Sequence, residues 1–235
     1  MKRMATLIAS STLILASTGT QAAVIYQTIS FDYNSRMQTD SMLMGGNTYP
    51  TGHLEFGGIP FYIPETGDNY WNSNYPNTPN PHTLDVNINL TGAIEVHTLL
   101  NTFWGQPGPD SYAAIEFIGS NGGYYKVDLI GNDHIRDYNQ YIWTNSINNT
   151  TTIEVFNNGS GQRLDKQVFY LPDEFENQNL ESIRITDNGA TNSQRLFVSG
   201  ITVGLAGAIP APSALLLLLL SLPIIYSRKH LKNNL

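Results

Sequence analysis

The segment Leu84-Asp85-Val86-Asn87-Ile88-Asn89-Leu90 alternates apolar and polar side chains without a break. Successive side chains of an extended strand point to opposite faces, so the alternation gives one apolar face and one polar face. Thr152-Ile153-Glu154-Val155-Phe156 and Ile183-Arg184-Ile185 show the same habit. Short apolar runs recur at 24–31, 53–63, 83–90, 94–100, 112–118, 124–130, 151–156, 167–171, 180–186 and 196–203. Turn-forming clusters separate several of them: Gly45-Gly46-Asn47, Asn121-Gly122-Gly123, Asn157-Asn158-Gly159 and Asp187-Asn188-Gly189. Asn, Gly, Thr, Tyr and Ser are abundant while Lys and Glu are scarce, a mixture that disfavours helix. About ten strands, each with one polar face, predict an all-β fold: an antiparallel β-sandwich, jelly-roll-like. One long irregular stretch is expected, at 64–82.

Both ends of the chain read as targeting segments. Lys2 and Arg3 precede a short apolar core at 7–16, and Thr20-Gln21-Ala22 places small residues where a signal peptidase reads. Residues 1–22 are therefore expected to be a secretory signal peptide, cut after Ala22 or Ala23. The apolar core is well short of the roughly 20 residues that span a bilayer. Residues 208–235 hold a proline pair, Pro210 and Pro212, then a largely apolar stretch at 214–225, then the basic residues Arg228, Lys229 and Lys232. That stretch, extended by the mildly apolar residues before it, is expected to cross the inner membrane as a transmembrane helix, with the basic end cytoplasmic.

This tail resembles the PEP-CTERM sorting signals that exosortases read in Gram-negative bacteria. Pro210 and Pro212 match the two prolines, 215–225 match the helix, and Arg228-Lys229 match the basic end, with Ala211 where the common form has glutamate. The resemblance covers the last tenth of the chain and implies an exosortase-like sorting enzyme as partner. A plain single-span anchor is the alternative.

Between the two ends, residues 23–207 form one expected domain, long enough to bury a sizeable core. All 19 acidic residues of the chain lie there, against seven of its 12 basic residues, which leaves the domain near −12. Phosphate binding needs clustered Lys and Arg, so no nucleic-acid partner is expected. A neutral ligand or a cation suits the charge better. The chain has no cysteine, which excludes disulfides, thiol catalysis and Cys-ligated metals.

Three stretches carry candidate chemistry. Residues 64–76 place Tyr70, Trp71 and Tyr75 among amides and carboxylates on the long loop, an arrangement suited to stacking on a sugar. The bland alternative is that Trp71 plugs one end of the sandwich. Trp104, in Asn101-Thr102-Phe103-Trp104-Gly105, closes a strand and either flanks a cleft or belongs to the core. The densest polar cluster is Gly131-Asn132-Asp133-His134-Ile135-Arg136-Asp137-Tyr138-Asn139. Asp133, Asp137 and Asn139 could offer oxygens to Ca²⁺. Arg136 either contacts ligand or pins the loop through a bidentate pair with a carboxylate. No other cofactor is expected: the five histidines show no zinc spacing, and no nucleophile elbow, phosphate loop or dinucleotide fingerprint is present. Glu116 or Glu154 with Asp128 would be the carboxylate pair if the domain were a glycosidase.

In outline the domain is similar to galactose-binding-like jelly rolls and related carbohydrate-binding modules, on Asn101-Thr102-Phe103-Trp104-Gly105, Ile115-Glu116-Phe117-Ile118-Gly119-Ser120 and residues 133–137. The resemblance implies weak glycan binding by a non-enzymatic protein of the cell surface or extracellular polymer matrix. A purely structural matrix protein and a carbohydrate-active enzyme are the alternatives.

Overall fold

The structure is a computed structural model that describes residues 23–73, 82–142, 144–189 and 194–207. The expected signal peptide, the sorting tail with Pro210, Pro212, Arg228 and Lys229, and Tyr75 lie outside the described residues. Among the described residues no helix is long and apolar enough to cross a membrane. Val24–Gly207 form one compact unit.

Every apolar run identified above becomes strand. The first four strands are β1 (Val24–Ile29), β2 (Gly52–Phe56), β3 (Ile59–Ile63) and β4 (Trp71–Asn72). The next four are β5 (His82–Thr91), β6 (Ala93–Phe103), β7 (Ser111–Gly119) and β8 (Tyr124–Ile130). The last four are β9 (Thr152–Asn157), β10 (Arg163–Tyr170), β11 (Asn179–Asp187) and β12 (Arg195–Ala206). One sheet runs in the order β1-β12-β6-β10-β9, with β4 also paired to β12; the other runs β5-β11-β7-β8. All ladders are antiparallel. The two sheets pack face to face as a β-sandwich. Val96, Leu100, Phe169, Val198 and Ile201 of the first sheet meet Ile115, Phe117, Ile183 and Ile185 of the second.

Two features depart from the sequence reading. The run at 53–63 is a hairpin rather than one strand: β2 turns into β3 at Gly57-Gly58, whose φ values of 61° and 79° are those of a two-residue turn that only small or Asn-like residues adopt readily. More important, β6 and β12 are buried on both faces. A second core, made of Met37, Tyr49, Phe61, Ile63 and Tyr70, packs on Leu99, Phe103, Leu164 and Phe197. These four belong to the first sheet and point away from the second. The hairpin and the irregular segment between β1 and β2 therefore form a third layer over the first sheet, and the one-polar-face assumption fails there. The polar cluster identified in the sequence lies in another long irregular connection that the pattern did not separate, between β8 and β9.

Candidate functional site

The connection after β8 is held against the end of β6 by backbone bonds. The Thr102 N–H donates to the Arg136 carbonyl at 3.0 Å, and the Tyr138 N–H donates to the Thr102 carbonyl at 2.9 Å. Arg136 then fixes the connection to the sheet. Its Nε donates to Asp165 Oδ2 at 2.8 Å and its Nη2 to Asp165 Oδ1 at 2.7 Å, a bidentate pair with a carboxylate that has no solvent exposure. Nη2 also reaches Glu154 Oε2 at 2.8 Å, and Nη1 reaches the Asn145 carbonyl at 3.2 Å. Burial alone would lower the Arg136 guanidinium, but the hydrogen bonds and charges of Asp165 and Glu154 overcome that and hold it above its usual range. Arg163 adds a second clamp, donating to the Asp137 carbonyl at 3.0 Å and to Asn145 Oδ1 at 2.7 Å.

This scaffold presents Trp104. The residue sits at φ 53°, a left-handed conformation that a bulky side chain takes only under constraint. The constraint is Asp137, whose Oδ2 accepts the Trp104 N–H at 2.5 Å while its Oδ1 accepts the Asn139 N–H at 2.8 Å. Burial pushes the Asp137 carboxyl up to about 6, and the N–H donors of Asn139, Trp104 and Gly105 oppose the rise only in part. The Trp104 residue is 46% exposed and walls a groove of about 230 Å³ with Met42, Met44, Tyr138, Asn139 and Ile142. Tyr138 ties the far wall in place, donating to the Met42 carbonyl and accepting the Met44 N–H, both at 3.2 Å. An exposed aromatic ring beside a small apolar groove with amide and hydroxyl edges can stack on the C–H face of a sugar or another flat apolar group.

The other sequence candidates fall elsewhere. Tyr70 has no exposed surface; its hydroxyl bonds Asp40 and its ring packs at 5.3 Å on Phe197. Trp71 is 7% exposed and pairs with Val198 in β4, within the core between the sheets. Neither ring offers a face to a ligand, so of the two readings of Trp71 the structure takes the packing one. Arg136 faces Asp165 and Glu154 rather than the groove. Asp137 and Asn139 already use their carboxylate and amide oxygens on backbone N–H groups, the latter on that of Tyr141 at 3.0 Å. Oxygens aimed at N–H dipoles are poorly placed to coordinate a cation. Asp133 lies near His134 at 3.6 Å. Among the described residues no group of three or more His, Asp or Glu side chains is arranged to hold a metal. Glu154 belongs to the first sheet, whereas Glu116 and Asp128 belong to the second, where Asp128 pairs with Lys126 at 2.8 Å on the solvated face.

One group with no signal in the sequence pattern stands out. Arg195 opens the buried strand β12, is 7% exposed, and lines a cavity of about 470 Å³ that shares its Ser41–Met42 wall with the Trp104 groove. In the sequence it is a single cation before an apolar run, indistinguishable from an ordinary strand terminus.

No protein-family model matches the chain, and a search of curated proteins finds no similar one.

Proposed function

We propose that the protein is an exported, non-enzymatic glycan-binding module, a β-sandwich of jelly-roll type that takes a sugar face against Trp104. The observation that carries this reading is the placement of Trp104. A large apolar ring is held half out of the core in a constrained backbone conformation, over a preformed groove, beside the β8–β9 connection that Arg136 and Arg163 anchor to the sheet. Core packing alone gives no reason to maintain such a conformation at a solvent-facing tryptophan. The jelly-roll assignment is supported by the strand orders, β1-β12-β6-β10 over β5-β11-β7-β8, with successive strands from β5 to β7 alternating between the sheets.

The export part of the reading rests on the sequence: a signal peptide at 1–22 and a PEP-CTERM-like tail at 208–235 would deliver the domain through the inner membrane. An exosortase-like enzyme would act on the tail, and the domain would remain at the cell surface or in the polymer matrix. Calcium has no part in this proposal, since Asp137 and Asn139 already serve the backbone. The test is a pull-down of the mature protein on polysaccharide from the cells that make it. Retention that Trp104→Ala abolishes, with the melting temperature unchanged, supports the reading; equal retention of wild type and variant refutes it.

A further inference from the structure

Four cationic residues among those described are buried: Arg136, Arg163, Lys166 and Arg195. Three have acceptors. Arg136 pairs with Asp165 and Glu154, Arg163 donates to the Asp137 carbonyl and Asn145, and Lys166 donates to the Phe56 carbonyl at 3.3 Å. Among the described residues the Arg195 guanidinium has no hydrogen bond and no ion pair. A cation without a protein partner ordinarily stands on the open surface, whereas this one opens a buried strand with 7% of the residue exposed, and its nitrogens keep contact with solvent. The strand register sets Arg195 opposite Phe103, two residues from Phe197, so it belongs to the outward face of the first sheet, beneath the segment that forms the third layer.

There it meets the cavity of about 470 Å³, a size typical of small-molecule sites. The remaining lining is mostly polar side chains, with Met42 the apolar exception. Arg36 contributes a second guanidinium, anchored on the Gly67 carbonyl at 2.6 Å and the Glu65 carbonyl at 3.0 Å. Asp40 is the single carboxylate of the lining; its Oδ1 accepts the Met42 N–H at 2.7 Å and its Oδ2 accepts the Tyr70 hydroxyl. Two fixed cations against one anion leave the cavity locally positive within a domain that is strongly negative. We propose that this cavity binds an oxyanion, carboxylate or sulfate, carried on a sugar, with Arg195 as the buried counter-charge.

The sugar half of this proposal rests on the glycan reading above; the oxyanion half rests on Arg195 alone. The wall shared with the Trp104 groove would let one chain place a neutral residue on Trp104 and a charged one over Arg195. The domain charge adds a constraint. A dense polyanion would be repelled at long range, so the fitting ligand carries its charge sparsely. Added salt screens that repulsion more than the buried contact, so binding should survive salt that strips a nonspecific basic patch.

The experiment titrates the mature protein with methyl glucuronide, methyl glucoside and inorganic sulfate at constant ionic strength. It follows the side-chain Nε resonances of the arginines in the wild type and repeats the titrations on Arg195→Gln and Trp104→Ala. The expected result is glucuronide bound at least about tenfold more tightly than glucoside, with sulfate competing and the Arg195 Nε signal shifting. Arg195→Gln should erase the preference while glucoside binding persists. Equal affinity for the two glycosides together with an unmoved Arg195 signal under sulfate overturns the proposal. So does a preference that survives in Arg195→Gln. If Trp104→Ala leaves both glycosides bound as in wild type while the Arg195 signal still responds, the oxyanion site stands and the stacking role of Trp104 falls. Because the Nε signal is read in the wild-type protein, the result does not depend on a variant folding.

Discussion

Replacing Asp165 by asparagine should destabilise the domain by about 3 kcal/mol, at the lower end of the 3–5 kcal/mol expected when one partner of a buried ion pair is removed. Asp165 sits at a register shift in β10 and has no solvent exposure. Its carboxylate accepts two bonds from Arg136 and one from Asn101 Nδ2 at 2.7 Å. An amide has the same shape but places an NH₂ donor against other donors, either the guanidinium or the Asn101 amide. It also removes the only fully buried counter-charge of Arg136. Glu154 remains, but its side chain is 39% exposed and its attraction is weakened by water, so it compensates only in part. At about 2–4 °C per kcal/mol for a domain of this size, the melting temperature should fall by about 6–12 °C. The assay is urea and thermal unfolding followed by tryptophan emission, run as a double-mutant cycle with Arg136→Met. Once Arg136 is replaced, Asp165→Asn should cost less than it does in the wild type, giving a coupling of about 1 kcal/mol or more. A loss below about 1 kcal/mol for Asp165→Asn, or additive single and double variants, would refute the claim that this pair anchors the loop carrying Asp137 and Tyr138.

Further outcomes follow from other parts of the structure. Asp137 binds its proton more tightly folded, at about 6, than at its ordinary 3.8, so its contribution to stability is fully present below 3.8 and is lost as pH rises through 6, about 3 kcal/mol in all. Buried Asp187 is raised as well and acts in the same direction, so the Asp137 share is read as the difference between pH–stability curves of wild type and Asp137→Asn, which should diverge between pH 4 and 6 and run parallel above. Gly58→Val places a β-branched residue at φ 79° and should cost about 1–2 kcal/mol in urea unfolding, whereas Gly58→Asn should cost less. Phe61→Ala empties the centre of the second core and should cost about 3–5 kcal/mol by the same measurement.

The strand content was legible because alternation leaves a direct trace, and each apolar run became a strand or, at 53–63, a hairpin. The third layer was not legible. On the outer face of β6, polar His97 and Asn101 stand between Glu95, Leu99 and Phe103, which reads as a half-solvated face. In the structure both polar residues are buried and hydrogen-bonded, His97 through Nε2 to Glu95 at 3.0 Å and Asn101 through Nδ2 to Asp165 at 2.7 Å. A buried polar pair and a solvated polar residue look alike in a sequence. The same blindness misplaced the aromatic platform. Tyr70 and Trp71 sit among Asn and Asp residues, but a two-residue strand pairs Trp71 into the sheet and a bridge to Ser35 sets Tyr70 into the second core, and nothing local announces a pairing with residues 197–198 or 35. Trp104 differs because its exposure follows from the left-handed turn that Asp137 fixes from 33 residues away. Arg136 was readable as a loop anchor in kind, though its partner Asp165 was not, since that choice is made by tertiary packing.

The claim that a sugar face stacks on Trp104 is tested most directly by following the indole N–H resonances of the chain's three tryptophans while the mature protein is titrated with polysaccharide from the cells that make it. The account predicts that the Trp104 signal moves saturably and the Trp71 signal stays fixed. A Trp104 signal that does not respond to saturating polysaccharide, or a response centred on buried Trp71, would contradict it.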